Sequence, residues 1–144
     1  MPRSRAQTRS AGLSEASAYL SKAREFLRAA EDSLQLGSNA AAVGNAVHAG
    51  ILAADAIAAV RSRAVWRGEH AHAASYLEAA GEDGKQAARH LRRLLPLKAR
   101  AEYDPSPIRA ADSKGAVGAA KRIVAIAAQV VTSAPVTKGA TGID

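Results

Sequence analysis

KQAARHLRRLLPLKARAEYD, residues 85–104, alternates basic and apolar side chains at the spacing of an α-helix. One face carries the basic residues Lys85, Arg89, Arg92, Arg93 and Arg100. The other face carries Ala87, Ala88, Leu91, Leu94 and Leu95, which predicts a helix that packs on one side and is cationic on the other. Pro96 removes one backbone hydrogen bond inside this segment, so we expect it to bend the helix axis.

The composition favours one all-α domain. The chain has 144 residues, which is enough for a single core. Hydrophobic residues make up 48% of it but aromatic residues only 3%, and alanine dominates the apolar set. A core of small side chains requires helices that approach each other closely, so we expect an antiparallel bundle of about five helices.

Periodicity and glycine positions place these helices along the chain. We expect a first helix over residues 14–36 that ends at Gly37 and a second, the most buried, over 40–63. A short helix over 70–80, the basic helix over 85–104 and a last helix from Asp112 or Ser113 to Ser133 follow. The bundle therefore spans residues 13–134. Residues 1–12 and 135–144 are predicted to be disordered tails, and no strand is predicted.

The net charge of +7 and the pI near 10.2 favour acidic partners such as RNA, DNA or an acidic protein surface. Phosphates could bind the basic face, with a strong dependence on salt, or the face could simply be solvated. The chain has no cysteine, which excludes disulfides and thiolate chemistry. No apolar run is long enough for a signal sequence or a membrane span, so we expect a cytoplasmic protein without membrane contact.

The order of these features resembles the HEPN family of small α-helical domains over residues 14–128. KAREFLRAAEDSLQLGSNAAAV, residues 22–43, is similar to the first helix pair of that family. A track of small residues is similar to its second helix: Ala49, Ala53, Ala54, Ala56 and Ile57. His72 stands where a Tyr-bearing subgroup carries a histidine, and LKARAEYD, residues 97–104, is similar to the stretch in which an Arg precedes a Tyr-Asp pair.

The chain departs from the catalytic members of the HEPN family. HEPN ribonucleases carry an Arg that holds phosphate and a His four to six residues later that helps to activate the ribose hydroxyl. Here Lys98 and Arg100 are the candidates for phosphate, and Tyr103 replaces the usual histidine, with His48 as a second candidate. A phenol is a weaker general base than an imidazole at neutral pH.

Asn45, His48 and Asp55 form a predicted polar cluster on the otherwise apolar second helix. In the functional interpretation they line a pocket that faces the basic helix, and Asp55 orients His48 as an acid or base. In the structural interpretation, which we favour, they form hydrogen bonds across the bundle or a dimer seam and fix its register.

We expect neither a metal nor a cofactor. His70 and His72 are two residues apart, which places them in different directions on a helix, and no glycine-rich phosphate loop is present. Gly44, Gly50 and Ala53 would let helices approach closely, and since HEPN domains tend to pair, we expect a homodimer.

The resemblance implies a module with little or no catalytic activity that binds RNA or an acidic protein partner, such as a nucleotidyltransferase, in a toxin–antitoxin or stress system. Two alternatives remain open. One is a metal-independent ribonuclease with a degenerate site, and the other is a structural dimeric scaffold.

Overall fold

The computed structural model describes residues 7–134, in which six α-helices form a bundle beside a two-stranded sheet. The helices are α1 (Leu13–Gln35), α2 (Asn39–Arg61), α3 (Ala73–Glu78), α4 (Glu82–Leu94), α5 (Leu97–Glu102) and α6 (Ala110–Thr132). A short 3-10 turn, His70–His72, precedes α3. The prediction of an all-α helical bundle is confirmed.

Helix α1 ends where the sequence predicts. Gly37 has a φ of +75°, a left-handed conformation that favours glycine. The Ser38 N–H donates to the Ser33 carbonyl at 2.9 Å, and the Gly37 N–H donates to the Leu34 carbonyl at 3.1 Å. This Schellman motif satisfies the last carbonyls of α1 and turns the chain back into α2.

Helix α2 is the centre of the bundle, as its apolar sequence predicts. It packs against α1, α4, α5 and α6, and most of its residues from Ala42 to Val60 are buried. By length and composition, α2 and α6 could each cross a membrane. The most apolar stretch of α2 is 72% buried inside the bundle, which accounts for its composition without a membrane.

The predicted disordered tail over residues 1–12 is wrong for its described part, residues 7–12, which contains a strand. Strand β1 (Thr8–Ser10) pairs antiparallel with β2 (Ala64–Trp66). The Arg67 N–H extends this pairing by donating to the Gln7 carbonyl at 2.7 Å. β1 pairs through its backbone with a strand far along the chain. It therefore needs no alternation of apolar and polar residues, which is the pattern that reveals a strand in a sequence. Residues 1–6 and the predicted tail 135–144 lie outside the described residues.

Pro96 divides the predicted basic helix in two. Helix α4 ends at Leu94 and α5 begins at Leu97, so residues 85–104 are not one bent rod. Proline has no N–H to donate to the carbonyl four residues earlier, and its ring crowds that carbonyl. Leu95 and Pro96 between the two helices both keep right-handed helical dihedrals, and the Lys98 N–H donates to the Leu95 carbonyl at 3.2 Å.

The small residues expected at a dimer seam lie in different surroundings. Gly50 and Ala53 are buried within one chain, and a Cβ on Gly50 would lie 2.5 Å from Leu94 Cδ1. Gly44 has no atom within 4 Å of the place where its Cβ would be. Of these three residues, Gly44 alone is open to a second copy.

Two glycine substitutions should change stability in opposite directions. Gly44→Ala should raise the free energy of unfolding by up to about 1 kcal/mol, because alanine favours the helix and the site is open. Gly84→Ala should lower it by about 2 kcal/mol, since the new Cβ would clash with the Leu77 carbonyl oxygen. Urea unfolding followed by circular dichroism measures both. Destabilisation by Gly44→Ala, together with a loss of dimer mass, would instead place Gly44 in a dimer seam.

Candidate functional site

Helix α4 separates its cationic and apolar sides as predicted. Ala87, Ala88, Leu91 and Leu94 are buried in the core, and Leu95 just beyond the helix is half-buried. Lys85, Arg89, Arg92 and Arg93 are all exposed. Because the apolar side of α4 packs into the core, its opposite side presents four cations to solvent.

Ion pairs divide these cations into two groups. Arg92 Nη1 lies 2.9 Å from Glu78 Oε2, and Arg100, beyond the Pro96 break, lies 3.7 Å from Asp112 Oδ2. Within residues 7–134, no carboxylate lies within ion-pair distance of Lys85, Arg89 or Arg93. The positive charge of α4 that remains uncompensated is on these three residues.

Helix α6 adds Arg122 to this surface, a residue that the sequence analysis did not single out. The pKa of His90 is lowered by burial and then by the positive charges of Arg122, Arg93 and Arg89. We call Arg89, Arg93 and Arg122 the guanidinium cluster. Arg122 is exposed and makes no ion pair within the part of the chain that the structure describes. The sequence analysis could not place Arg122 beside Arg89 and Arg93, because only the packing of α4 on α6 brings these residues together.

A groove of about 400 Å³ lies beside the guanidinium cluster, between α4 and the first turns of α6. Arg93 and Pro96 line one side, and Gly115 lines the other. A Cβ on Gly115 would meet no atom within 4 Å, so the floor of the groove is shallow and accessible. The Asp112 carboxylate, which pairs with Arg100, also lines this groove.

The four candidate catalytic residues make separate contacts. Lys98 Nζ donates to Glu102 Oε1 at 3.1 Å, while Arg100 pairs with Asp112. Tyr103 is 80% exposed. The His48 ring packs against Phe26, with ring centroids 5.3 Å apart and ring planes tilted by 38°. No hydrogen bond joins any two of these four residues in the described range, so no acid–base pair is assembled.

The predicted polar cluster does not form. His48 is exposed, Asn45 is half-buried and Asp55 is buried. The interpretation in which Asp55 orients His48 is wrong, since the carboxylate of Asp55 pairs with Arg67. His48 and Asp55 share a helix face, but seven residues at about 1.5 Å each separate them by about 10 Å.

Asp55 instead belongs to a network that the sequence analysis missed. Arg67 Nη1 donates to Asp55 Oδ2 at 3.2 Å and to the Trp66 carbonyl at 2.7 Å, while Nη2 donates to the Tyr19 hydroxyl at 3.1 Å. Burial raises the pKa of Asp55 to about 6, and Arg67 opposes this shift. The network joins α1, α2 and the turn after β2. The signal for this network in the sequence is the WRG tripeptide, residues 66–68, which places the single Trp of the chain and an Arg beside a glycine.

A cleft of about 130 Å³ opens beside this network. Ile51, Ala54 and Leu77 supply apolar lining, and Asp55 and Arg67 supply its polar end. Two aromatic rings, Trp66 and Tyr76, also line the cleft, with centroids 5.4 Å apart.

Main-chain hydrogen bonds hold both rings of the cleft. Trp66 Nε1 donates to the Glu69 carbonyl at 2.9 Å, and the Tyr76 hydroxyl donates to the Ala64 carbonyl at 2.6 Å. A Cβ on Gly68 would lie 2.6 Å from Trp66 Cζ2, so the indole packs directly on the main chain there. The cleft is therefore preformed.

No protein-family model matches this chain, and no curated protein matches it significantly. Within residues 7–134, no group of three or more His, Asp or Glu side chains is placed to hold a metal ion. The candidate sites are thus the guanidinium cluster and the cleft beside Asp55.

The raised pKa of Asp55 predicts a specific pH dependence of stability. The folded chain holds this proton to about pH 6, whereas the unfolded carboxyl has an ordinary value of 3.8. The folded state binds more protons in between, so the contribution of Asp55 to the free energy of unfolding falls as pH rises, by about 3 kcal/mol in total.

Asp55→Asn removes this titration. The free energy of unfolding of the wild type minus that of Asp55→Asn should fall by about 3 kcal/mol from about pH 3 to about pH 7. Urea midpoints at several pH values measure this difference, in which other titrating groups cancel. A difference that is constant with pH would contradict the raised pKa.

Proposed function

We propose that this protein is a HEPN-like module, with little or no catalytic activity, that binds RNA through the guanidinium cluster. The observation that supports this proposal is the convergence of Arg89, Arg93 and Arg122 around His90 without ion-pair partners within residues 7–134. The proposal places the protein in the cytoplasm, as a homodimer, in a toxin–antitoxin or stress system. That setting rests on the resemblance to the HEPN family.

Burial lowers the pKa of His90 most, and the positive charges of Arg122, Arg93 and Arg89 lower it further. The same positive potential that disfavours a proton on His90 favours an anion near its surface. Guanidinium groups match phosphate geometry and bind it by two parallel hydrogen bonds. The neighbouring groove of about 400 Å³ has Arg93 on its α4 side, while Asp112 on its α6 side is paired with Arg100. These features favour a ligand that carries phosphate groups.

The surface chemistry favours binding without base specificity. Apart from Tyr103, no Phe, Tyr or Trp side chain in the described part of the chain is strongly exposed. Stacking on aromatic rings supplies much of the recognition of single-stranded bases. A surface with few exposed Phe, Tyr or Trp rings therefore recognises mainly the charge of the backbone. An RNA would bind the cluster through its backbone.

Salt dependence and charge removal test the proposal. A labelled 20-nucleotide RNA should bind in low salt, and the slope of log K against log salt should be about −2 for three neutralised phosphates on a single strand. The triple variant Arg89→Ala, Arg93→Ala, Arg122→Ala should weaken binding at least about tenfold and flatten this slope. Fluorescence anisotropy measures both quantities.

A matched control separates the cluster from the net charge. Lys22→Ala, Arg24→Ala, Arg28→Ala removes three exposed cations from α1, where acidic residues alternate with them, and should leave affinity nearly unchanged. Equal losses in the two triple variants would reject a localised site. No binding to RNA in low salt would reject the proposal and leave the acidic protein partner.

The separate contacts of Lys98, Arg100, Tyr103 and His48 predict that RNA is bound and not cleaved. Incubation with the RNA and EDTA should leave the strand intact on a denaturing gel. EDTA-resistant cleavage that Arg100→Ala abolishes would establish the ribonuclease alternative instead. Cleavage that His90→Ala abolishes would place the catalytic centre in the guanidinium cluster.

A further inference from the structure

The cleft beside Asp55 has the form of a small-molecule site. Its volume of about 130 Å³ is close to the roughly 150 Å³ of an apolar cavity that holds one benzene ring. Its rings are fixed by hydrogen bonds to the main chain, so a ligand would not have to order them. One six-membered ring matches this space.

Asp55 is a buried acceptor with unused capacity. Its side chain is only 9% exposed, and its Oδ2 accepts from Arg67. Its Oδ1 accepts no hydrogen bond from residues 7–134, yet it is not among the buried atoms sealed from solvent. A nearly buried carboxylate oxygen at the wall of a cleft is costly unless a donor reaches it.

Arg67 supplies donors next to this acceptor. Its Nε–H and one Nη2 hydrogen have no acceptor within the described residues, while its other contacts fix the guanidinium in place. The pair is close to neutral overall, so neither a cation nor an anion has a clear electrostatic advantage. A neutral ring with an N–H donor beside a lone-pair acceptor complements both partners.

We propose that this cleft binds a pyrimidine-sized heterocycle, whose N–H edge donates to Asp55 Oδ1 and whose adjacent acceptor receives a hydrogen bond from Arg67. Trp66, Tyr76 and the apolar lining would enclose the ring faces. This ligand class is independent of the guanidinium cluster, because the cleft contains none of its three arginines.

The heterocycle could be a free base or part of a nucleotide. His70 lines both the cleft and a neighbouring depression that also contains Arg92. A nucleotide whose ring occupied the cleft could place its phosphate near Arg92. The free base would leave that depression empty.

The single tryptophan of the chain gives a direct readout. Cytosine, neutral at pH 7.5, should shift the one indole N–H resonance of the ¹⁵N-labelled full chain and saturate with concentration. 1,3-Dimethyluracil, a ring of similar size without an N–H donor, should bind at least about tenfold more weakly. Equal binding of both rings, or no saturable shift with cytosine, would overturn the proposal.

Two variants test the assigned contacts. Asp55→Asn should weaken cytosine binding at least about tenfold, and Ala73→Phe should abolish it by filling the cleft from its half-buried rim. Ala41→Phe, on an exposed position outside the cleft, should bind as the wild type does. The helical circular dichroism signal confirms that each variant is folded. If Asp55→Asn fails to fold, Ala73→Phe and the methylated ring still decide the proposal.

Cytidine 5′-monophosphate distinguishes the two sources. Binding tighter than that of cytosine, lost again in Arg92→Ala, would identify a nucleotide. Equal binding of the two compounds would identify the free base. Neither measurement uses RNA binding. The proposal for this cleft can therefore be rejected while RNA binding by the guanidinium cluster is confirmed, and the opposite result is equally distinguishable.

Discussion

The bundle is held together by close packing of alanine and glycine surfaces around α2. Small side chains lose little conformational entropy when they are buried, but each buries little apolar area. Stability must therefore come from many contacts along long helices, and α1, α2 and α6 each have 23 residues. The same packing brings Leu94 onto Gly50 and thereby fixes which side of α4 faces solvent. The cationic surface follows from the packing of the core.

The break at Pro96 separates cations without ion-pair partners in the described residues from cations that are paired with carboxylates. Arg89 and Arg93 stay on α4, where the guanidinium cluster forms across to α6. Arg100 follows the break and pairs with Asp112. Lys98 is also compensated, by Glu102 on its own helix. The segment that resembles the HEPN Tyr-bearing stretch is thus a nearly neutralised surface, and the strongly positive one lies before the proline.

Local patterns predicted the helices because their causes are local. Gly37 ends α1 by its left-handed conformation, and the spacing of Leu91 and Leu94 identifies the core side of α4. β1 could not be found in this way, because its partner lies more than fifty residues away and the pairing is between backbones. The ion pair of Asp55 with Arg67 was hidden for a related reason. Helical spacing suggested His48 as the partner of Asp55, but the turn after β2 supplied a closer one.

Arginine has two different energetic roles in this protein. Arg67 compensates a buried carboxylate, so its charge stabilises the folded chain locally. Arg89, Arg93 and Arg122 have no such partner within residues 7–134, and their positive charges add to burial in lowering the pKa of His90. An anion that bound among them in the folded chain alone would stabilise the folded state, by an amount that grows with the logarithm of its concentration. The uncompensated charge of these three arginines, set against the paired charge of Arg67, is the physical basis for proposing the binding role of this cluster.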